Sequence, residues 1–318
     1  MSLSEFDLIN KYFKDAFNNS KDVKCGIGDD AAIVSLPEGM ELAVSTDTLA
    51  SGIHFPVMTS PEDIGYKSLA VNLSDMAAMG AEPRWITLAL TMPGNDEAWL
   101  KSFMSGFGIL AKQYSLSLIG GDLTRGPLSV TVQIHGFVPQ GQALYRHGAK
   151  SGDLIYVSGT LGDAGLALQM LNNNQDVEEK YHDYLLQRLN RPVPGIELGT
   201  TLRGLANSAI DISDGLMADL EHILVASRKG AVIMVDKLPR SEAMKQLPDK
   251  TAAEFALISG DDYELCFTVS PENRTTLEKK LSSWLLTCIG EVTEEAGIKW
   301  LRDDGGDFQP SGKSYSHF

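Results

Sequence analysis

Cysteine is scarce in this chain of 318 residues: Cys25, Cys266 and Cys288 are odd in number and far apart. Such spacing argues against a disulfide framework and against a zinc site. No apolar run approaches the roughly eighteen residues that a membrane span needs. The opening residues Met1 to Asp7 lack the basic start and apolar stretch of a secretion signal, which implies a cytoplasmic protein. Basic residues are also short, with Lys+Arg 27 against Asp+Glu 42 and a formal net charge of -15. That excess repels nucleic acid and anionic membrane, so neither is expected as a partner. Any anionic substrate has to be met locally, by a basic pocket or by metal ions.

What remains is the balance of an ordinary globular protein, 43% hydrophobic and 22% charged. Its length suits about two domains. An amphipathic helix is predicted over 4–17, opened by a capping box of Ser4 and Asp7. A strand is predicted from Glu41 to Asp47. A second helix should begin at Pro61, behind Ser60 and Asp63, and stop near Gly80. Trp85 to Met92 reads as a strand, and residues 96–114 carry Trp99, Phe103, Phe107, Leu110 and Tyr114 at helical spacing. Strands follow at 117–119 and 128–137, the second alternating apolar and polar residues. Interleaved helices and strands of this kind make an α/β or α+β layered domain.

A boundary falls near Pro139-Gln140-Gly141, dividing 1–138 from 139–318. The second half reopens with a strand at 153–158. Helices are predicted at 163–172, 181–190 and 195–206, and strands at 209–213, 231–235, 265–269 and 285–289. Between two of those strands lies a helix with Leu216, Leu220, Ile223 and Leu224 inside.

Two nucleotide motifs fail on inspection. Gly26-Ile27-Gly28-Asp29-Asp30-Ala31 fits a dinucleotide-binding turn, but two carboxylates would face the pyrophosphate and no convincing strand precedes it. Gly312-Lys313-Ser314 resembles the end of a phosphate loop, yet Pro310 interrupts it and no room remains for the helix behind. Asp211-Ile212-Ser213-Asp214-Gly215 also falls short of a calcium loop, because its other acidic residues are misplaced.

The signal lies instead in aspartates at strand ends and glycine-rich turns. Asp30, Asp47, Asp122, Asp211, Asp214 and Asp261 all sit in such places. One alone is an ordinary turn or cap residue. Asp75 is the exception, since it falls in the last turns of its helix, where the macrodipole disfavours a carboxylate. A bound cation would remove that conflict. The donor set is carboxylate, Ser or Thr hydroxyl and backbone carbonyl, which is hard-cation chemistry, with Mg²⁺ favoured when phosphate supplies further ligands.

At these blocks the chain resembles the thiamine-monophosphate kinase family of the aminoimidazole ribonucleotide synthetase-like superfamily. The matching segments include Gly28-Asp29-Asp30, Ser45-Thr46-Asp47, Gly52-Ile53-His54-Phe55 and Asn72-Leu73-Ser74-Asp75. They continue with Gly120-Gly121-Asp122, Gly159-Thr160-Leu161-Gly162-Asp163, Asp211-Ile212-Ser213-Asp214 and the tail Tyr315-Ser316-His317-Phe318. The resemblance implies a two-domain α/β fold whose N-terminal half binds ATP and Mg²⁺ and joins its sheet to that of a second copy in a homodimer. The C-terminal half would complete the active site. The activity implied is transfer of the γ-phosphoryl group of ATP to thiamine monophosphate, with several Mg²⁺ ions.

By the same resemblance Asp30, Ser45, Thr46, Asp47, Asp75, Asp122, Asp211 and Asp214 are metal ligands. Gly121, Asp122, Arg146 and Ser213 match nucleotide positions, as does Tyr114, although Tyr114 also fits a core position on its helix. His54, Asp261 and Tyr315 match positions near the thiamine substrate. Asp261 stands where the family usually has glutamate, and Tyr315 where tryptophan is common. No general base is assigned, because a phosphate monoester is mostly dianionic near pH 7, its second pKa being about 6. The alternative is another synthetase of the superfamily, activating an amide or carbonyl oxygen with ATP.

Overall fold

A computed structural model describes residues 4–14, 16, 17, 20–312 and 314. Tyr315 lies outside them. The chain divides into two units, Met1–Met76 with Ala81–Gly141, and Ala77–Gly80 with Gln142–Phe318.

The first unit opens with α1 (Glu5–Tyr12), β1 (Val23–Cys25), β2 (Ile33–Val34) and β3 (Met40–Ala50). It continues with α2 (Pro61–Ala78), β4 (Glu82–Met92), α3 (Glu97–Gln113), β5 (Ser117–Arg125) and β6 (Ser129–Pro139). Strands β3, β6, β4 and β5 form one sheet in that order, antiparallel except for β4 and β5. That parallel pair is joined by α3, the expected crossover for parallel strands. The predicted capping box is present, with Ser4 accepting from the Asp7 N–H and Asp7 reaching back to the Ser4 N–H. The helix ends at Tyr12, earlier than the predicted 17.

Helix α2 begins as its sequence requires. The Ser60 hydroxyl accepts from the Asp63 N–H at 3.1 Å, and Pro61 takes the first helical position. It ends in a Schellman motif: Ala81 N–H donates to the Met76 carbonyl, Gly80 N–H donates to that of Ala77, and Gly80 is left-handed at φ 64°. Helices α2 and α3 cross closely through glycines. A Cβ on Gly65 would fall on the Phe103 carbonyl oxygen, and one on Gly106 would fall on that of Glu62.

The second unit contains β7 (Leu154–Ser158), α4 (Asp163–Leu171), α5 (His182–Asn190), α6 (Ile196–Leu202) and β8 (Ala206–Asp211). Then come α7 (Leu216–Ser227), β9 (Gly230–Met234), α8 (Asp249–Ile258), β10 (Leu265–Val269), α9 (Arg274–Lys280), β11 (Leu286–Thr293) and β12 (Gly297–Leu301). Its sheet runs β12-β9-β11-β7-β10-β8, antiparallel except for β12 with β9. The core packs that sheet against α7 and α8 through Leu216, Leu220, Ile223, Ala253 and Leu257. Helix α6 stops at Leu202, short of the predicted 206, because Arg203 turns extended and Gly204 is left-handed. No helix among the described residues is long and apolar enough to cross a membrane.

The glycine crossing supplies a test. Gly65→Ala should cost about 2 kcal/mol by overpacking, read by urea unfolding. Gly94→Ala, with nothing within 4 Å of its added Cβ, should stay near wild type.

Candidate active site

In the first unit the strand register sets the geometry. Asp47 pairs with Val132 of β6, which pairs with Leu88 of β4, which pairs with Gly121 of β5. Val132 and Leu88 are buried, so this row lies on the covered face of the sheet. Ser45, two residues earlier, shares that face. Helix α2 packs there and brings Asp75 against both. The Ser45 hydroxyl donates to Asp75 Oδ2, and the Asp75 carboxyl is hydrogen-bonded to that of Asp47. Burial, and then the Asp75 charge, push the Asp47 carboxyl up to about 7. Three oxygen-bearing side chains from a strand and from the negative end of a helix thus share one small volume, with carboxylate charge in excess.

Asp122 falls one step out of this row. It pairs with Ala89, then Thr131 and Thr48, and is exposed. Thr46 and Asp30 are exposed as well. A bulge after Ile86 resets β5 just before Gly120-Gly121-Asp122, and Gly121 adopts φ 151°. A side chain there would strike the Leu88 carbonyl. Among the described residues no three His, Cys, Asp or Glu side chains converge as a metal-holding group. The structure therefore brings together Asp47, Asp75 and Ser45. It leaves Asp30, Thr46 and Asp122 at other points of the same unit.

His54 sits in the loop after β3, half-buried. Its Nδ1 accepts from the Ala50 N–H at 3.0 Å, so a neutral ring carries its proton on Nε2. The buried Lys67 ammonium donates to the His54 carbonyl at 3.1 Å and steadies that turn. Tyr114 caps the C-terminus of α3 and is half-buried.

In the second unit Asp211 ends β8, and Ser213 and Asp214 occupy the turn into α7. Asp219, one turn into that helix, reaches back to the same turn. Its Oδ2 accepts from the N–H groups of Ser213, Asp214 and Gly215 at 3.0, 3.0 and 3.1 Å. Burial pushes its carboxyl up to about 7 against the pull of these donors. Sequence reasoning missed Asp219. The available signal was an aspartate set into the apolar stripe of Leu216, Leu220 and Ile223. Arg146 is exposed on a segment fixed at both ends. Ala209 N–H donates to the Tyr145 carbonyl at 2.9 Å, and Gly148 N–H donates to Ser227 Oγ at 3.2 Å. Asp261 is half-buried and left-handed at φ 67°.

Two tests follow from these carboxylates. Between the ordinary aspartate pKa of about 4 and the folded value of about 7, the folded protein binds more protons at Asp47 than the unfolded chain does. Metal-free stability should therefore fall as pH rises through that window. Asp47→Asn should flatten the fall and melt higher than wild type at pH 8; identical pH profiles would refute the pairing. Asp219→Ala, which orphans one buried and two half-buried donors, should lose at least about 2 kcal/mol in urea unfolding.

Two family models cover most of the chain. The AIR synthase related protein N-terminal domain matches residues 28–138, and the corresponding C-terminal domain matches 150–301. Thiamine-monophosphate kinase of Escherichia coli (strain K12) is 50% identical over 323 residues, covering 100% of this chain and 99% of that protein. The crystal structure of thiamine-monophosphate kinase from Stenotrophomonas maltophilia K279a superposes with a TM-score of 0.87 at 45% identity, covering 97% of this chain and 99% of that one. AaThiL complexed with AMPPCP and TMP gives 0.79 at 32% identity, over 100% of this chain and 99% of that one. Matched in both halves and along its full length, this chain belongs to the AIR synthase related family and, within it, to the thiamine-monophosphate kinases.

Proposed function

We propose that this protein phosphorylates thiamine monophosphate with ATP, giving thiamine diphosphate, in the cytoplasm. The observation that carries the metal-dependent part of this reading is the Asp47–Asp75 carboxylate contact with Ser45 beside it. Such a pair needs a proton or a cation, and its all-oxygen donor set suits Mg²⁺. Ser45, Asp47 and Asp75 would hold the metal in the first unit, with Asp30, Thr46 and Asp122 as further ligands. Asp211 and Asp214 take that role in the second unit. When bound, Mg²⁺ supplies neutralisation of polyphosphate charge, which a protein of formal charge -15 otherwise lacks.

The chain's own residues bind and orient. Gly121 gives the nucleotide close access to backbone, and Ser213 and Tyr114 are further nucleotide contacts. Arg146, on its tethered segment, offers a guanidinium to phosphate. His54 can donate from Nε2 toward the acceptor, and Asp261 with Tyr315 is assigned to the thiamine end. The attacking group is a phosphate oxygen already ionised near pH 7, its second pKa being about 6. Transfer is therefore direct and in line, with no general base and no phosphoenzyme. An amide or carbonyl acceptor is the weaker reading, since the relatives matched over the full chain carry the phosphate-acceptor name.

A homodimer suits the first unit. Strand β3 is eleven residues long at the edge of its sheet, and Leu42 and Val44 on its outer face are 45% and 50% exposed. Edge strands of that kind are usually covered.

ATP consumption coupled to ADP detection should require both thiamine monophosphate and Mg²⁺. Asp47→Asn or Asp122→Asn should lower turnover at least a hundredfold while circular dichroism stays unchanged. Near-normal turnover in either variant would overturn the metal assignment, and a trapped phosphoenzyme would overturn direct transfer.

A further inference from the structure

The most unusual backbone in the second unit lies between α8 and β10. Asp261 and Tyr263 are both left-handed, at φ 67° and 50°, with Asp262 between them. Side chains beyond glycine avoid that region, and two such residues flanking a third persist only where surrounding contacts enforce them. One side of the segment is pinned to the turn after β8. Asp261 N–H donates to the Ser213 carbonyl at 2.9 Å, Tyr263 N–H donates to that of Ile212 at 2.8 Å, and Ile212 N–H donates to that of Glu264 at 2.8 Å.

The other side is held by charge. Asp262 is 2% exposed, and its Oδ2 accepts from the Gly162 N–H at 2.8 Å. Its Oδ1 has no hydrogen-bond partner among the described residues. Burial pushes the Asp262 carboxyl well up, the Arg188 charge from α5 opposes that, and the Asp163 and Glu264 charges add to it. Arg188 Nη2 donates to the Thr160 carbonyl at 3.0 Å and to Glu264 Oε1 at 3.1 Å, and its Nε lies 3.6 Å from Asp163 Oδ2. Glu264 Oε2 accepts from Ser158 Oγ at 2.6 Å, while Asp163 Oδ2 accepts from Thr160 Oγ1 at 2.6 Å and Tyr184 OH at 2.9 Å. The loop Gly159-Thr160-Leu161-Gly162-Asp163 is thereby wrapped around one guanidinium and three inward carboxylates. Gly162 is obligatory, being left-handed at φ 86° with the Ala256 nitrogen 2.8 Å from any added Cβ.

We infer that Arg188 and Asp262 are positioning residues for the acceptor substrate: they impose the left-handed backbone of Asp261 and Tyr263 and so aim the Asp261 carboxylate. Neither touches substrate. Asp262 tethers the segment to the glycine loop, and Arg188 makes the gathering of three inward carboxylates tolerable. Resting on the acceptor role given to Asp261 above, this assigns the glycine loop a function distinct from phosphate binding. It holds the thiamine end of the site.

Steady-state kinetics with each substrate varied in turn provide the test. Asp262→Asn keeps the shape and an acceptor for Gly162. It should raise KM for thiamine monophosphate about tenfold and leave KM for ATP within twofold. Arg188→Gln should do the same, with Arg188→Lys recovering part of the loss. Because the effect runs through Asp261, Asp262→Asn should add little on an Asp261→Ala background. Equal changes in both KM values, or a lower melting temperature with both KM values unchanged, would overturn the inference while Asp261→Ala still raised the acceptor KM. If Asp261→Ala itself left that KM unchanged, the acceptor assignment would fall and the inference with it.

Discussion

Two carboxylates in hydrogen-bond contact are the constraint on which the first unit turns. At about 4 Å their repulsion is roughly 1 kcal/mol in water and about 4 kcal/mol at an effective dielectric of 20. The fold sustains that cost by fixing both partners rigidly. Asp47 is locked by an eleven-residue pairing between β3 and β6, and Asp75 by a helix capped at both ends. Each device lies outside the pair and cannot relax to separate the charges. In the proposed reading, stability of the metal-free protein is given up for a site that attracts a cation, the familiar opposition between activity and stability.

The second unit uses carboxylates in the opposite sense. Asp219 and Asp262 are buried and turned inward, toward backbone N–H groups. They organise turns, and the turns present other aspartates. Asp219 gathers the N–H groups of Ser213, Asp214 and Gly215, while the Ser213 carbonyl receives the Asp261 N–H. The proposed metal turn and the proposed acceptor segment are therefore one hydrogen-bonded assembly. Both belong to a single compact unit.

Much of this was legible beforehand. Caps at Ser4 and Ser60, the apolar stripe of α3 and the alternation of β6 all express local preferences, and the structure realises them. Shorter elements were not legible. Val23–Cys25 and Ile33–Val34 pair only with each other, and Gly297–Leu301 is fixed as a strand by β9. Two or three residues carry too little periodicity to declare a strand. The predicted end of α6 was misplaced because the apolar residues continue past Gly204 into the next strand. The aspartates of the candidate site were visible as residue types, but Asp122 stands one register step from Asp47, and only pairing through β6 and β4 reveals it.

The order of the longer elements, the capped helix starts and the excess of carboxylate over base were settled by the chain itself. Each depends on neighbours within a turn or two, or on composition alone. Tertiary structure decided which acids meet. Asp47 and Asp75 are separated by most of a loop and a helix, and sheet register with helix packing closes that distance. It also decided that Asp262 points inward onto the Gly162 N–H while Asp261 takes a left-handed turn, since adjacent identical side chains are distinguished only by what surrounds them. Long-range contact, set by the burial of apolar faces, is the part of this protein that no local pattern contains.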